Sequence, residues 1–280
     1  MTEPGNLDRR ARPWLGTIVE IGAPAEHESA IEAGFAEIAR IHRLMSFHEA
    51  NSDLAKLREA KAGELVEVDA DTVTVLRIAA DLHQSTGGLF NIAIGRQLVR
   101  ARFLPRMGAD HLAQYNGDAS HIEIMDDSHV RLRRRVLIDL GGIAKGYAVD
   151  CAVAALQAAG VPTGIVNAGG DLRVFGDTAM PIQVRAAQGG YSPAFAVQNI
   201  AVASSENGRT RRTYQGRIAT PHIGRYNRPA IIDQTVTVTA STCMIADALT
   251  KVAMVDPDLA DRLLAAHGGQ VVRFQMSEAA

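Results

Sequence analysis

Ile138-Asp139-Leu140-Gly141-Gly142-Ile143-Ala144-Lys145-Gly146-Tyr147-Ala148 decides how this chain is read. A stretch of strand character runs into paired glycines. It then enters 144–159, which is rich in alanine, free of proline and followed by Gly160, so a helix is expected there. Gly141 and Gly142 let backbone come into contact with a ligand. The helix start offers N–H groups and partial positive charge, and Lys145 adds a full one, a combination suited to a phosphate. The same residues also describe a tight strand-to-helix turn with Lys145 on the surface, since one glycine pair is a weak signal alone.

Working outward, Trp14 to Ile21 alternates between faces and predicts a strand, with residues 1–12 before it expected to be flexible. Ile31, Phe35, Ile38, Ile41 and Met45 recur at intervals of three and four, which predicts an amphipathic helix over 25–44. Ser52 and Asp53 are N-cap residues for a short helix over 52–57. A further helix over 71–85 ends at Thr86-Gly87-Gly88. Paired strands are expected within 120–139. Others follow near 164–166, 172–175, 182–185, 194–202 and 235–239, then helices over 241–255 and, opened by Pro257, to about 266, and a last strand over 271–274. Strands in runs with segregated helices predict an α+β fold of mainly antiparallel sheets with packed helices. The long helices near 25–44 and 144–159, each after a strand, point to two lobes. No linker divides the chain, so 1–280 reads as a single domain.

Two more clusters carry chemistry. Asn167-Ala168-Gly169-Gly170-Asp171 places a second glycine pair at a strand end, flanked by an amide and a carboxylate. It reads either as the far wall of one crevice or as an ordinary hairpin turn. In Ala246-Asp247-Ala248-Leu249-Thr250-Lys251, a carboxylate sits inside an otherwise apolar helix. A buried carboxylate wants a cation, a donor or a metal, and Lys251, four residues on, can pair with it on one helix face.

The bulk composition narrows the function classes. The 280 residues are 47% hydrophobic, enough for a sizeable core, and the formal net charge of −2 gives no electrostatic case for nucleic acid or an anionic membrane. The two cysteines, Cys151 and Cys243, lie in apolar surroundings and read as buried thiols. No apolar run approaches the ~18 residues of a membrane span, and the first residues do not form a signal peptide, so a cytoplasmic location is expected.

IDLGGIAKGYAVD (138–150), VNAGGDLRVFG (166–176) and IADALTKVAMV (245–255), in that order, resemble the ApbE family of FAD:protein FMN transferases. The likeness extends to Leu15-Gly16-Thr17, Met45-Ser46-Phe47, Ser52-Asp53-Leu54, Gly87-Gly88-Leu89-Phe90-Asn91, Gly95 and His222-Ile223, and so covers nearly the whole chain. The resemblance implies an ApbE/T-fold-like architecture. It implies FAD as substrate, with FMN passed to a Thr or Ser hydroxyl of an acceptor protein and AMP released. With water as acceptor the same site would hydrolyse FAD. It implies a divalent metal, Mg²⁺, between the Ala144 carbonyl and Asp247, with His222 as the active-site histidine. Gly141, Gly142, Lys145 and 167–171 (Asn167, Ala168, Gly169, Gly170, Asp171) would hold the dinucleotide. Met45 and Phe47 would pack against the flavin or the adenine.

The chain departs from the pattern where the family helix reads Ala-Asp-Ala-Leu-Ser-Thr and its Thr is a metal ligand: Lys251 stands there. Thr250 is one residue early, about 100° around the helix, and does not replace that ligand. The expectation is that Lys251 pairs with Asp247 and serves as a fixed cation in place of Mg²⁺. The segment after His222-Ile223 and the stretch Ala203-Ser204-Ser205-Glu206 have also drifted. A flavin carrier or regulator without transfer is therefore the alternative reading.

Overall fold

The computed structural model describes residues 7–273 apart from Asp110, Gln188 and Gln215. In chain order the first half contains β1 (Leu7–Trp14), β2 (Thr17–Pro24), α1 (Glu28–Met45), α2 (Asp53–Glu59), β3 (Leu65–Glu67), α3 (Ala70–Ser85), α4 (Gly95–Arg100), β4 (Ile122–Ile124) and β5 (His129–Leu132). The second half contains α5 (Ala144–Ala158), β6 (Gly164–Ala168), β7 (Asp171–Phe175), β8 (Met180–Ile182), β9 (Phe195–Val197), β10 (Ile200–Ser205), β11 (Arg212–Tyr214), β12 (Arg217–Ala219), β13 (Val236–Ala240), α6 (Cys243–Ala253), α7 (Pro257–Ala266) and β14 (Gln270–Val272).

One seven-stranded sheet, in the order β1-β2-β6-β7-β10-β13-β14, carries the fold, and every pairing in it is antiparallel. Three helices lie across it: α1 against β1 and β2, α5 against β6 and β7, and α6 against β7, β10 and β13. This is the expected α+β arrangement of antiparallel sheet and packed helices. A smaller sheet, β3-β5-β4, stands beside α3.

Local rules explain the helices. Ile31, Phe35, Ile38, Ile41 and Met45 all point from α1 into the core. The Ser52 hydroxyl caps α2 by accepting from the Ala55 N–H at 3.1 Å. Pro257 opens α7, where Asp256 accepts from the Leu259 N–H at 3.0 Å. α5 has no polar face because it is enclosed by α1, α6 and the sheet; Ala148, Val149, Ala152, Val153 and Leu156 are fully buried. Gly146 permits the close crossing of α5 and α6, since a Cβ there would stand 2.2 Å from the Cys243 carbonyl oxygen.

Several expectations are corrected. From Leu7 onward the opening residues are not flexible but form β1, paired along its length with β2; residues 1–6 lie outside the described residues. The run read as one strand over 14–21 contains the hairpin turn, with Leu15 (φ 56°) and Gly16 (φ 73°) both left-handed. Leucine is rare in that conformation, so the apolar run concealed the turn. Residues 182–185 and 194–202 divide into shorter pieces at β8, β9 and β10, and the last strand ends at Val272, with Phe274 outside the described residues. The segment before Gly141 is extended but belongs to no sheet. It is held to the 92–95 loop by the Gly95 N–H on the Leu137 carbonyl (2.9 Å) and the Asp139 N–H on the Ile92 carbonyl (2.9 Å).

Candidate active site

The α5 entry and α6 meet at a buried carboxylate. Asp247 is fully buried, and both its oxygens are engaged. Oδ1 accepts from Lys251 Nζ at 2.5 Å; Oδ2 accepts from the Gly146 N–H at 3.2 Å and lies 3.8 Å from Lys145 Nζ. Lys145 Nζ in turn donates to Asp171 Oδ2. Two ammonium groups and two carboxylates thus interlock across three elements. Burial pushes the Asp247 carboxyl upward, but Lys145, Lys251 and the Gly146 N–H outweigh it and hold the carboxyl below its ordinary value. Burial pulls the Lys145 ammonium below its ordinary value, partly opposed by Asp247.

Beside this cluster opens a cavity of about 370 Å³, within the size range of small-molecule sites. Its polar lining includes Lys251, Gly141, Gly142, Asp139, His222, Asn91 and Thr210. Its apolar lining includes Leu89, Phe90, Ile92, Leu98, Phe103 and Leu104. The Lys251 stem lies along Gly142, where a Cβ would stand 3.4 Å from Lys251 Cε. His222 enters from the loop after β12, which is pinned by the Ala230 N–H on the His222 carbonyl at 2.9 Å. Its Nδ1 is buried and has no hydrogen-bond partner among the described residues. Desolvation, followed by the charges of Lys251 and Lys145, pushes the imidazole down to about 3, so it is neutral near pH 7. Desolvation pushes the Asp139 carboxyl up to about 6, against a 3.3 Å bond from the Gly141 N–H.

The residues singled out in the sequence divide into groups. Gly141, Gly142, His222 and Lys251 meet on the cavity, and Ala144, Lys145, Asp171 and Asp247 lie in or against the charged cluster behind it. Asn167, Ala168, Gly169 and Gly170 are absent from the cavity lining. They build the two-residue β6–β7 hairpin, with Gly169 (φ 66°) and Gly170 (φ 104°) as the turn and the Gly170 N–H on Asn167 Oδ1 at 2.9 Å. The hairpin delivers Asp171 to Lys145. Met45 and Phe47 do not face the cavity. Met45 is in the main core, and Phe47 packs in a separate cluster with Val99, Ala109, Tyr115 and Leu137, beneath the Arg58 guanidinium. Burial against their own neighbours leaves neither side chain open to a ring. Asp139 was within the decisive motif but had no role in the sequence reading; its place on the wall follows from the contact with the 92–95 loop. Of the apolar wall, the family likeness marks Leu89 and Phe90, whereas Ile92, Leu98, Phe103 and Leu104 carry no such mark.

The donor set does not fit Mg²⁺. Among the described residues no group of three His, Cys, Asp or Glu side chains is placed to hold a metal. The Thr250 hydroxyl is occupied by the Asp247 carbonyl at 2.7 Å and Ser205 Oγ at 2.8 Å. A dication at Asp247 would face Lys251 and Lys145, and at ~4 Å and an effective dielectric of ~20 each ammonium would cost about 8 kcal/mol.

The chain is 30% identical over 178 residues to the FAD:protein FMN transferase of Rhodobacter capsulatus, covering 58% of this chain and 34% of that protein. It is 24% identical over 237 residues to the protein of the same name from Vibrio cholerae, covering 78% and 70%. The match therefore spans about a third of the Rhodobacter relative's length. Among solved structures, the ApbE protein of Thermotoga maritima superposes with a TM-score of 0.82 at 25% identity, over 96% of this chain and 97% of that one. The ApbE family model matches residues 15–273, taking in every element from the β1–β2 turn to β14, and the chain belongs to the ApbE family.

Proposed function

We propose that this chain transfers FMN from FAD to a Thr or Ser hydroxyl of an acceptor protein, releasing AMP. The observation that carries the reading is the mixed lining of the cavity, an ammonium and paired glycines together with apolar and aromatic side chains. That combination suits a pyrophosphate joined to an aromatic ring system, and similar proteins carry the name of this reaction.

In this reading the pyrophosphate lies at Lys251 and the Gly141-Gly142 backbone, and the isoalloxazine lies against Phe90, Leu98 and Phe103. The acceptor oxygen attacks the phosphorus of the FMN half. A new P–O bond forms, the bond to the bridging oxygen breaks, and AMP leaves with that electron pair. The hydroxyl proton passes to His222, neutral in the free protein and made more basic by the negative charge of the bound pyrophosphate. Lys251 offsets the charge that develops on the leaving phosphate. Lys145 and Asp171 hold Asp247, and through it Lys251, in place.

The test is to incubate the protein with FAD and a Thr-containing acceptor peptide and to follow AMP by chromatography and flavin mass on the peptide. Equal amounts of AMP and flavinylated peptide are expected. FAD bound without AMP release would instead make the chain a flavin carrier.

A further inference from the structure

We infer that Lys251 is a built-in counter-cation for the pyrophosphate, so that this chain binds FAD and transfers FMN without a divalent metal. The inference rests on the FAD reading above and specifies how the phosphate end of that site works. Three observations carry it. First, both oxygens of the buried Asp247 carboxylate are already taken, Oδ1 by Lys251 at 2.5 Å and Oδ2 by the Gly146 N–H at 3.2 Å. A metal approaching Oδ1 would have to displace the Lys251 ammonium, and one approaching Oδ2 would stand against the Lys145 ammonium, 3.8 Å from that oxygen. Second, Lys251 Nζ has three donors. It donates to Asp247 Oδ1 and, at 3.0 Å, to Thr250 Oγ1, which leaves one for a ligand in the cavity that Lys251 lines. Third, Lys251 is held from below rather than waving in solvent. Its stem lies on Gly142, and its charge is matched by Asp247 at the back, so the ammonium is oriented before the ligand arrives.

A fixed ammonium differs from a bound dication in two measurable ways. Chelators do not remove it, and its removal affects ligands that carry phosphate but not those that lack it. The experiment is flavin fluorescence titration of the purified chain with FAD and with riboflavin, in EDTA and in Mg²⁺, with AMP release from FAD followed in parallel samples that contain the Thr acceptor peptide. The wild type is expected to give the same Kd for FAD in EDTA and in Mg²⁺, and the same AMP release. Lys251→Met is expected to weaken FAD by about tenfold or more with riboflavin unchanged, the loss that a charge-assisted hydrogen bond supports. Lys251→Arg is expected to retain FAD, and Lys251→Thr to bind FAD weakly in EDTA and regain affinity in Mg²⁺.

FAD binding or AMP release by the wild type that disappears in EDTA overturns the inference while leaving the transfer reading intact. So does Lys251→Met binding FAD as the wild type does. Metal-independent FAD binding with no AMP under either condition, the acceptor peptide being present, removes the transfer reading and the transfer half of the inference, and leaves Lys251 as a counter-cation for binding alone. If the Lys251 variants do not fold, the EDTA and Mg²⁺ titrations of the unaltered chain still decide.

Discussion

Lys251 Nζ lies 2.5 Å from Asp247 Oδ1, one helical turn along α6, and the carboxylate so paired is fully buried. An intrahelical pair of this kind on a surface contributes a few tenths of a kcal/mol. Here burial changes the size of the effect. Asp247→Asn would leave the Lys251 charge without its partner at the edge of a desolvated cluster. A loss of about 3 kcal/mol is expected by urea denaturation at neutral pH. Because the folded carboxyl is held below its ordinary value, its contribution is complete above the unfolded-state value, ~3.9, and is lost only as pH falls through the depressed one. A loss under ~1 kcal/mol would mean that solvent screens the pair.

His222 is expected to be silent in an NMR titration between about pH 5 and about pH 8, where an ordinary imidazole changes charge. Its folded value lies below the unfolded one, so the unfolded chain takes up the proton first and His222 lowers stability as pH falls from about 6.5 toward 3. FAD should restore a titration at higher pH by bringing negative charge to the ring. A free-protein titration near 6.5 would place the ring in solvent and remove the basis for its role as a neutral base.

Asp139→Asn is expected to stabilise the chain at pH 7 by about 1–2 kcal/mol, discounted from the full shift because the side chain is partly exposed on the cavity wall. The folded carboxyl is raised to about 6, so ionising it above that pH costs stability that the amide does not. The gain should vanish near pH 4, and paired urea curves at the two pH values check it. If AMP release also falls while FAD affinity holds, Asp139 contributes to the proton transfer assigned to His222.

Gly146→Ala should destabilise by more than about 3 kcal/mol, at or beyond the top of the usual range for overpacking, because the new methyl would meet backbone and not a movable side chain. Thermal unfolding measures it. The Gly146 N–H on Asp247 would be displaced together with the α5–α6 crossing.

Phe47→Leu should leave FAD affinity within about twofold while costing about 1 kcal/mol of stability, since the ring packs in its own cluster away from the cavity. A tenfold loss of FAD affinity in a variant with wild-type stability would restore Phe47 to the ligand.

Much of this protein was determined by local rules that a sequence states openly. The interval of Ile31, Phe35 and Ile38 gave α1 its buried face, Ser52 its cap to α2, and the alanine run after Gly142 the helix α5. The order of the three glycine- and aspartate-bearing motifs pointed to the family. The four-residue spacing of Asp247 and Lys251 allowed their pair. Spacing does not say which face of α6 is enclosed, and that depends on α5 and β10, which are remote in the sequence, as well as on the adjoining β13. Only the assembled structure showed that the Asn167–Asp171 glycines are a hairpin whose service is to bring Asp171 to Lys145. It also showed that Met45 and Phe47 are consumed by the core, and that Asp139 and the 89–104 wall complete the cavity with His222. The reason is physical: desolvation sets what a carboxylate, an imidazole or an ammonium can do, and desolvation is produced by neighbours that the chain supplies from far away.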